Sequence, residues 1–321
     1  MKKDIFSILI PTHNRAEVLE KTLTSLFKQR APADEFVEVI VVANACTDRT
    51  LDVCEEMRSD SQFDFKVIQE PLPGLSIARN RAVKEARGSV LIFIDDDVSL
   101  EADWLGSTIA TYYQTPADMV GGRVNLWWHE VSQPDWLDER HFSLLSRLDL
   151  GNERHQVNSP SAAIGANFSF RRKVFDCIGG FRTDLGRSGK KLLSAEETEF
   201  LRVALEKGFC MYYSPTAALK HWVAKSRISL KYLGGVALGN GKSAQLSRQD
   251  FGITTVFRSM LSHTSQAVWH ASLAGIFWVT GQHRAKVSNW IDHCRAKGRL
   301  LGTLTRVLSV KATSTTEKRT T

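Results

Sequence analysis

The 321-residue chain is 43% hydrophobic and 24% charged, with a formal net charge of +7. That length suits one large domain or a domain with an appendage, and that composition supplies a core and excludes global disorder. Its five cysteines are odd in number and lack C-x-x-C spacing, which argues against a disulfide framework or a structural zinc and fits a reducing cytoplasm.

In chain order, the apolar run Ile5–Ile10 predicts a strand stopped by Pro11; it is too short for the core of a signal peptide. Ala16–Gln29 carries Val18, Leu19, Leu23, Leu26 and Phe27 at helical spacing. Val37–Val42 predicts a second strand, Asp48–Met57 a helix capped by Thr47 or Asp48, and Phe65–Ile68 a third strand. Ser76–Ala86 predicts a helix closed by Gly88, and Val90–Ile94 a strand running into Asp95-Asp96-Asp97. A helix over Glu101–Tyr113 and a strand over Met119–Val124 follow. This alternation predicts an α/β fold, a mostly parallel sheet with helices on both faces. Ligands of such sheets gather beyond the carboxyl ends of the strands. Three polar clusters fall there: Pro11-Thr12-His13-Asn14, Ala43-Asn44-Ala45-Cys46-Thr47-Asp48, and the aspartates.

After about residue 125 the pattern loosens around Trp127, Trp128 and Trp136, and a helix is expected over Glu196–Lys207, closed by Gly208. From Leu230 the chain reads as mostly helical, with a last dozen residues expected to be disordered. The division expected is 1–228 for the catalytic domain and 229–321 for a helical, basic C-terminal region. No stretch reaches the roughly 18 apolar residues of a membrane span. The nearest, Ala271–Thr280, reads as a buried or interfacial helix. From Gln282 onward nine Lys and Arg face only Asp292 and Glu317, so this tail carries as much excess charge as the whole chain. It could meet an anionic membrane or acceptor, or be a solvated helix face. No helix-turn-helix, zinc or RNA-binding signature supports a nucleic-acid partner.

Three adjacent carboxylates are costly to assemble, because two like charges about 4 Å apart repel by about 4 kcal/mol at a surface-like dielectric. A hard divalent cation, Mn2+ or Mg2+ shared with substrate phosphates, removes that cost. A helix start would account for one Asp but poorly for three.

Around this turn, Ser7-Ile8-Leu9-Ile10-Pro11-Thr12-His13-Asn14-Arg15, Val41-Val42-Ala43-Asn44-Ala45-Cys46-Thr47-Asp48, and Gly74-Leu75-Ser76-Ile77-Ala78-Arg79-Asn80 leading to Phe93-Ile94-Asp95-Asp96-Asp97 resemble the successive motifs of family 2 glycosyltransferases. Gly165-Ala166-Asn167, Gly179-Gly180-Phe181 and Ala195-Glu196-Glu197-Thr198-Glu199 are similar to that family's acceptor-side motifs. Each is weak alone; six in order, over roughly residues 4 to 235, are specific. The resemblance implies the GT-A fold, a nucleotide-sugar donor, metal dependence through a DXD motif, and inversion. It implies nucleotide contacts from Pro11, Thr12 and Asn14, and a donor contact from Arg79, which on the residues alone is as readily a surface arginine. Where the family often has an acidic residue facing uracil this chain has Ala43, so Asn44 is the expected substitute, unless it is only a turn residue, and UDP, dTDP and GDP all stay open. Asp97 would be the main metal ligand, with Asp95 on metal or ribose, Asp96 supporting, and His221 as a further ligand or a buried carbonyl-bonded histidine. Glu197 stands where the family places an aspartate general base, and Asn167, Glu196 and Trp222 are expected on the acceptor side. The acceptor would be a saccharide or lipid-linked hydroxyl in cell-envelope polysaccharide synthesis, with the enzyme cytoplasmic or peripheral at the inner membrane face. Two other readings remain, a nucleotidyltransferase on sugar phosphates and a non-catalytic nucleotide- or anion-binding protein; the first would call for a Gly-rich phosphate loop where this chain has Pro11-Thr12-His13-Asn14-Arg15.

Overall fold

The computed structural model describes residues 4–184, 196–246 and 253–317. Ala195 and the final Lys318 and Arg319 therefore lie outside the described residues. Contacts divide the chain into two compact units, one built from the chain up to His129, from residues 146–184 and from Glu196–Trp222, the other from Glu130–Leu145 and the chain from Val223 on.

In the first unit, β1 (Ile5–Thr12), β2 (Phe36–Asn44), β3 (Asp64–Glu70) and β4 (Val90–Ile94) form the parallel part of the sheet. Continuous apolar runs suit strands covered on both faces. Strand parity sorts the side chains. Phe6, Ile8 and Ile10 of β1, with Val39, Val41, Ile92 and Ile94, face a core completed by α1 (Ala16–Phe27) and α4 (Trp104–Gln114). Leu9, Ile40, Val42, Leu91 and Phe93 face α3 (Leu75–Glu85) and α6 (Glu196–Glu206) through Ala78, Ala82, Phe200 and Ala204. The short α2 (Thr50–Glu56) follows β2, and Asp48 Oδ1 accepts from its Thr50 N–H at 3.1 Å. The other oxygen of Asp48 accepts from Ala16 N–H at 3.1 Å and so also caps α1.

The sheet then departs from the mostly parallel expectation. Across it the order is β3-β2-β1-β4-β8-β6-β9-β5, with β7 (His155–Val157) beside β9. Here β5 is Val98–Leu100, β6 is Met119–Trp127, β8 is Asn167–Arg171 and β9 is Met211–Trp222. β8 runs antiparallel to both β4 and β6, while β6 and β9 are parallel. Pairing chosen by residues so far apart in sequence leaves no local signal. β8 leads directly into α5 (Arg172–Ile178), which ends at a left-handed Gly179.

In the second unit, α7 (Leu230–Leu246), α8 (Ile253–Val279) and α9 (His283–Glu317) follow one another. α9 extends into the segment expected to be disordered. α7 packs closely on α9 because glycines line the contact: a Cβ on Gly241 would overlap Arg295 O, and one on Gly298 would overlap Leu238 O. The segment Glu130–Leu145 joins this unit through polar bonds, His141 Nε2 lying 2.7 Å from Ser288 Oγ and Arg140 3.1 Å from Asp292. Among the described residues no helix is long and apolar enough to cross a membrane.

Candidate active site at the strand ends

Asp95-Asp96-Asp97 is the turn between β4 and β5. Antiparallel pairing of β5 with β9 sets His221 opposite Val98, and Trp222 N–H donates to Asp97 O at 2.8 Å. His221 Nε2 thereby comes within 3.2 Å of Asp97 Oδ1 and 3.9 Å of Asp95 Oδ2. One donor atom from each of Asp95, Asp97 and His221 lies within 4.8 Å of the others. Two carboxylates and an imidazole are a donor set that accepts manganese or magnesium. Asp97 and His221 are buried, while the Asp95 side chain is 30% exposed and gives the cluster its open side.

The other residues of the turn are held from β1 and α1. Thr12 Oγ1 donates to Asp96 Oδ2 at 2.7 Å, and the Thr22 hydroxyl binds the carbonyls of Asp96 and Val98. Arg15, quoted in the first motif but given no role from sequence, reaches Asp96 Oδ1 and Asp97 Oδ2, each at 2.7 Å. Asp97 therefore has one oxygen on a guanidinium and the other beside His221. Burial alone would depress the Arg15 guanidinium, but Asp97 and Asp96 more than offset it and keep it firmly cationic. Burial raises the Asp96 carboxyl above its usual range and Asp97 adds to this, with Arg15 opposing.

The first turn of α6 supplies the second cluster. Arg79 is 2% exposed, and its Nη1 donates to Glu196 Oε1 at 2.8 Å. The same guanidinium lies 3.7 Å from Glu197 Oε2 and 4.0 Å from Asp95 Oδ1. Phe93, Phe168 and Phe181 surround it at 5.7 to 5.9 Å. Gly165 leaves it room, since a Cβ there would meet its Nη2. Arg79 is thus no surface arginine but a buried cation held against Glu196, with Glu197 and Asp95 near it. Glu196, expected on the acceptor side, is the buried partner, at 1% exposure. Glu197 is 15% exposed, and Oε2 of both glutamates lacks a hydrogen-bond partner. Burial, with Glu197 adding to it, raises the Glu196 carboxyl to about 8 against the pull of Arg79.

Several residues expected at ligands are used by the fold. The Asn44 amide donates to Glu70 O and Leu72 O, and its oxygen accepts from Gly74 N–H at 2.8 Å. These bonds shape the turn into α3. Asn167 donates to Arg123 O and Ala217 O and accepts from Trp104 Nε1, buried between strands. Asn14, at φ 52, ties the first turn to the second by accepting from Thr47 N–H at 2.7 Å. Pro11 is buried in β1, and Thr12 is spent on Asp96. Trp222 is half-buried beneath Lys21, 5.8 Å from the ring centroid, and its indole N–H is unpaired. The resemblance implied a ligand role for each of these residues; the hydrogen bonds show what most of them do within the fold.

A mixed α/β sheet carrying an acidic turn at its strand ends, with glutamates opposite, defines a glycosyltransferase of the GT-A fold. The description "Glycosyl transferase family 2" matches residues 7–179, and the chain belongs to that family. It is 28% identical over 238 residues to the glucosyl-dolichyl phosphate glucuronosyltransferase of Haloferax volcanii, covering 71% of this chain and 72% of that protein. It is also 28% identical over 266 residues to the succinoglycan biosynthesis protein ExoM of Rhizobium meliloti, covering 82% and 78%. In fold it is similar to the mannosyltransferase PcManGT from Pyrobaculum calidifontis, solved with GDP-Man and Mn2+, at a TM-score of 0.62 and 17% identity over 94% of this chain and 88% of that one.

Proposed function

We propose that the chain moves a sugar from a nucleoside-diphosphate sugar to a hydroxyl of a saccharide or lipid-linked acceptor in a single inverting displacement. One observation carries the reading: a single guanidinium, Arg79, touches both Asp95 and Glu197, at 4.0 and 3.7 Å. Donor-side carboxylates and a base thus share one small site. Glu197 is the base because, at 15% exposure against 1% for Glu196, it is the more accessible of the two carboxylates, and Arg79 holds Glu196 the closer. It takes the acceptor proton as the hydroxyl attacks. Glu196, paired to Arg79, positions that cation between the two clusters.

Asp95, Asp97 and His221 would hold Mn2+ or Mg2+, and that ion supplies charge for the diphosphate leaving group. Arg15 fixes Asp97 so that Oδ1 stays turned toward His221. Relatives named for a dolichyl phosphate substrate and for succinoglycan biosynthesis support a lipid-linked or polysaccharide acceptor. Five unpaired thiols support a cytoplasmic setting. Calorimetry with UDP, dTDP and GDP, with and without manganese, tests the donor site. Metal-dependent binding of one nucleotide is expected; binding indifferent to metal overturns the ligand set.

A further inference from the structure

α8 is amphipathic in an unusual sense. One side packs along α9, with His270 Nδ1 3.0 Å from Asn289 Oδ1 and His293 Nδ1 2.9 Å from Ala267 O. The other side presents Phe257, Leu261, Val268, Trp269, Trp278 and Val279, each at least 58% exposed. Phe257, Leu261, Val268 and Val279 recur at near-whole helical turns, so they form one continuous stripe, and the tryptophans flank it. Contiguous apolar surface of this extent marks an interaction site in a folded protein.

The surrounding charge identifies the partner. α8 contains no Asp or Glu. Arg258 and Arg284 are exposed beside it, and the Lys286 ammonium lies 5.9 Å from the Trp278 ring centroid. From Val223 to the end fifteen Lys and Arg face three Asp and Glu, which leaves the preceding part of the chain net negative. An apolar stripe bordered by cations, with tryptophan at its margins, is the pattern of a helix lying in a bilayer interface. The helix is not apolar enough to cross one.

We infer that the outward face of α8 docks on the surface of an anionic phospholipid bilayer, its apolar stripe in the interface and the basic residues around it on the headgroups. The sequence pointed to the basic tail and to an interfacial helix near Ala271–Thr280; the structure adds which residues of α8 form the exposed stripe. This inference stands apart from the sugar-transfer reading, because vesicles without donor or acceptor test it.

The test is co-sedimentation of the full chain with phosphatidylcholine vesicles containing or lacking phosphatidylglycerol. Binding is expected only with phosphatidylglycerol, weakened by salt, with a blue shift of tryptophan emission. The combined variant Phe257→Ser, Trp269→Ser, Trp278→Ser should partition at least about tenfold more weakly, since all three side chains contribute buried apolar area. Quenching of the unaltered protein by brominated phosphatidylglycerol gives a second reading that does not depend on the variant folding. A protein that stays in solution with phosphatidylglycerol vesicles at low salt, or shows no quenching, overturns the inference. So does a folded variant that binds like the parent. A two-chain mass by light scattering that falls to one in the variant assigns the face to a second copy instead, and equally overturns it.

Discussion

The turn of aspartates and the helix α8 invert each other's use of polarity. In the first, charge is carried inward: Asp96, Asp97, Arg79, Glu196 and His221 are buried, Asp96 on Arg15, Arg79 on Glu196 and Asp97 beside His221. In the second, apolar surface is carried outward, with Trp269 63% and Trp278 67% exposed. Both arrangements are costly in water, and the readings proposed above place a partner at each.

If that contrast holds, substitutions in the two regions fail in different ways. The largest effect belongs to Glu197→Gln, expected to lower turnover by about 10²- to 10⁴-fold, as loss of a general base does. Nucleotide binding measured by calorimetry should stay near parental, and retained transfer removes Glu197 from the mechanism. Asp97→Asn follows, with turnover down by about 10²- to 10³-fold from lost charge stabilisation. Manganese titration of its activity should show weakened metal dependence; a parental manganese profile places the ion elsewhere.

Two variants separate architecture from chemistry. Gly298→Val should lower stability by about 1–3 kcal/mol, because an added side chain cannot be housed where α9 meets α7. Asn44→Ala should cost about 1–3 kcal/mol by leaving buried backbone groups unpaired. Urea unfolding reads both. If Asn44→Ala instead changes which nucleotide binds without loss of stability, its amide faces the base after all.

The last test reads a pH slope rather than a single value. Burial, reinforced by Glu197 and opposed by Arg79, lifts Glu196 from 4.5 to about 8. Between those values the folded protein holds a proton that the unfolded chain releases. The stability contributed by Glu196 is thus full below pH 4.5 and is lost as pH rises to about 8. Glu196→Gln should flatten that slope in denaturant midpoints across the same window; an unchanged slope means that Glu196 is ionised beside Arg79 throughout.

The parts of this molecule that the sequence reveals share a property: their cause is local. The apolar runs of β1, β2 and β4 and the leucine spacing of α1 announce themselves. β5 does not, because three residues are too few for a period, yet β5 is what brings His221 to the aspartates. The antiparallel insertion of β8 was equally silent. Within the site, the family resemblance indicated Asp97, His221 and Glu197, which the fold gathers around the Asp95 and Arg79 contacts. It could not assign Arg15, whose partners lie 81 and 82 residues away. Nor could it separate Asn44 and Asn167, whose amides bind backbone, from asparagines that bind ligands.

The one-sided packing of α8 also fixes the order in which the second unit loosens. α9 packs extensively on both α7 and α8, whereas among the described helices the extensive packing of α8 is on α9. Opening α8 thus breaks fewer contacts than opening α9, and its amides should exchange with deuterium first. A bilayer against the outer stripe would reverse that order, so α8 carries its own gauge of whether the protein is docked.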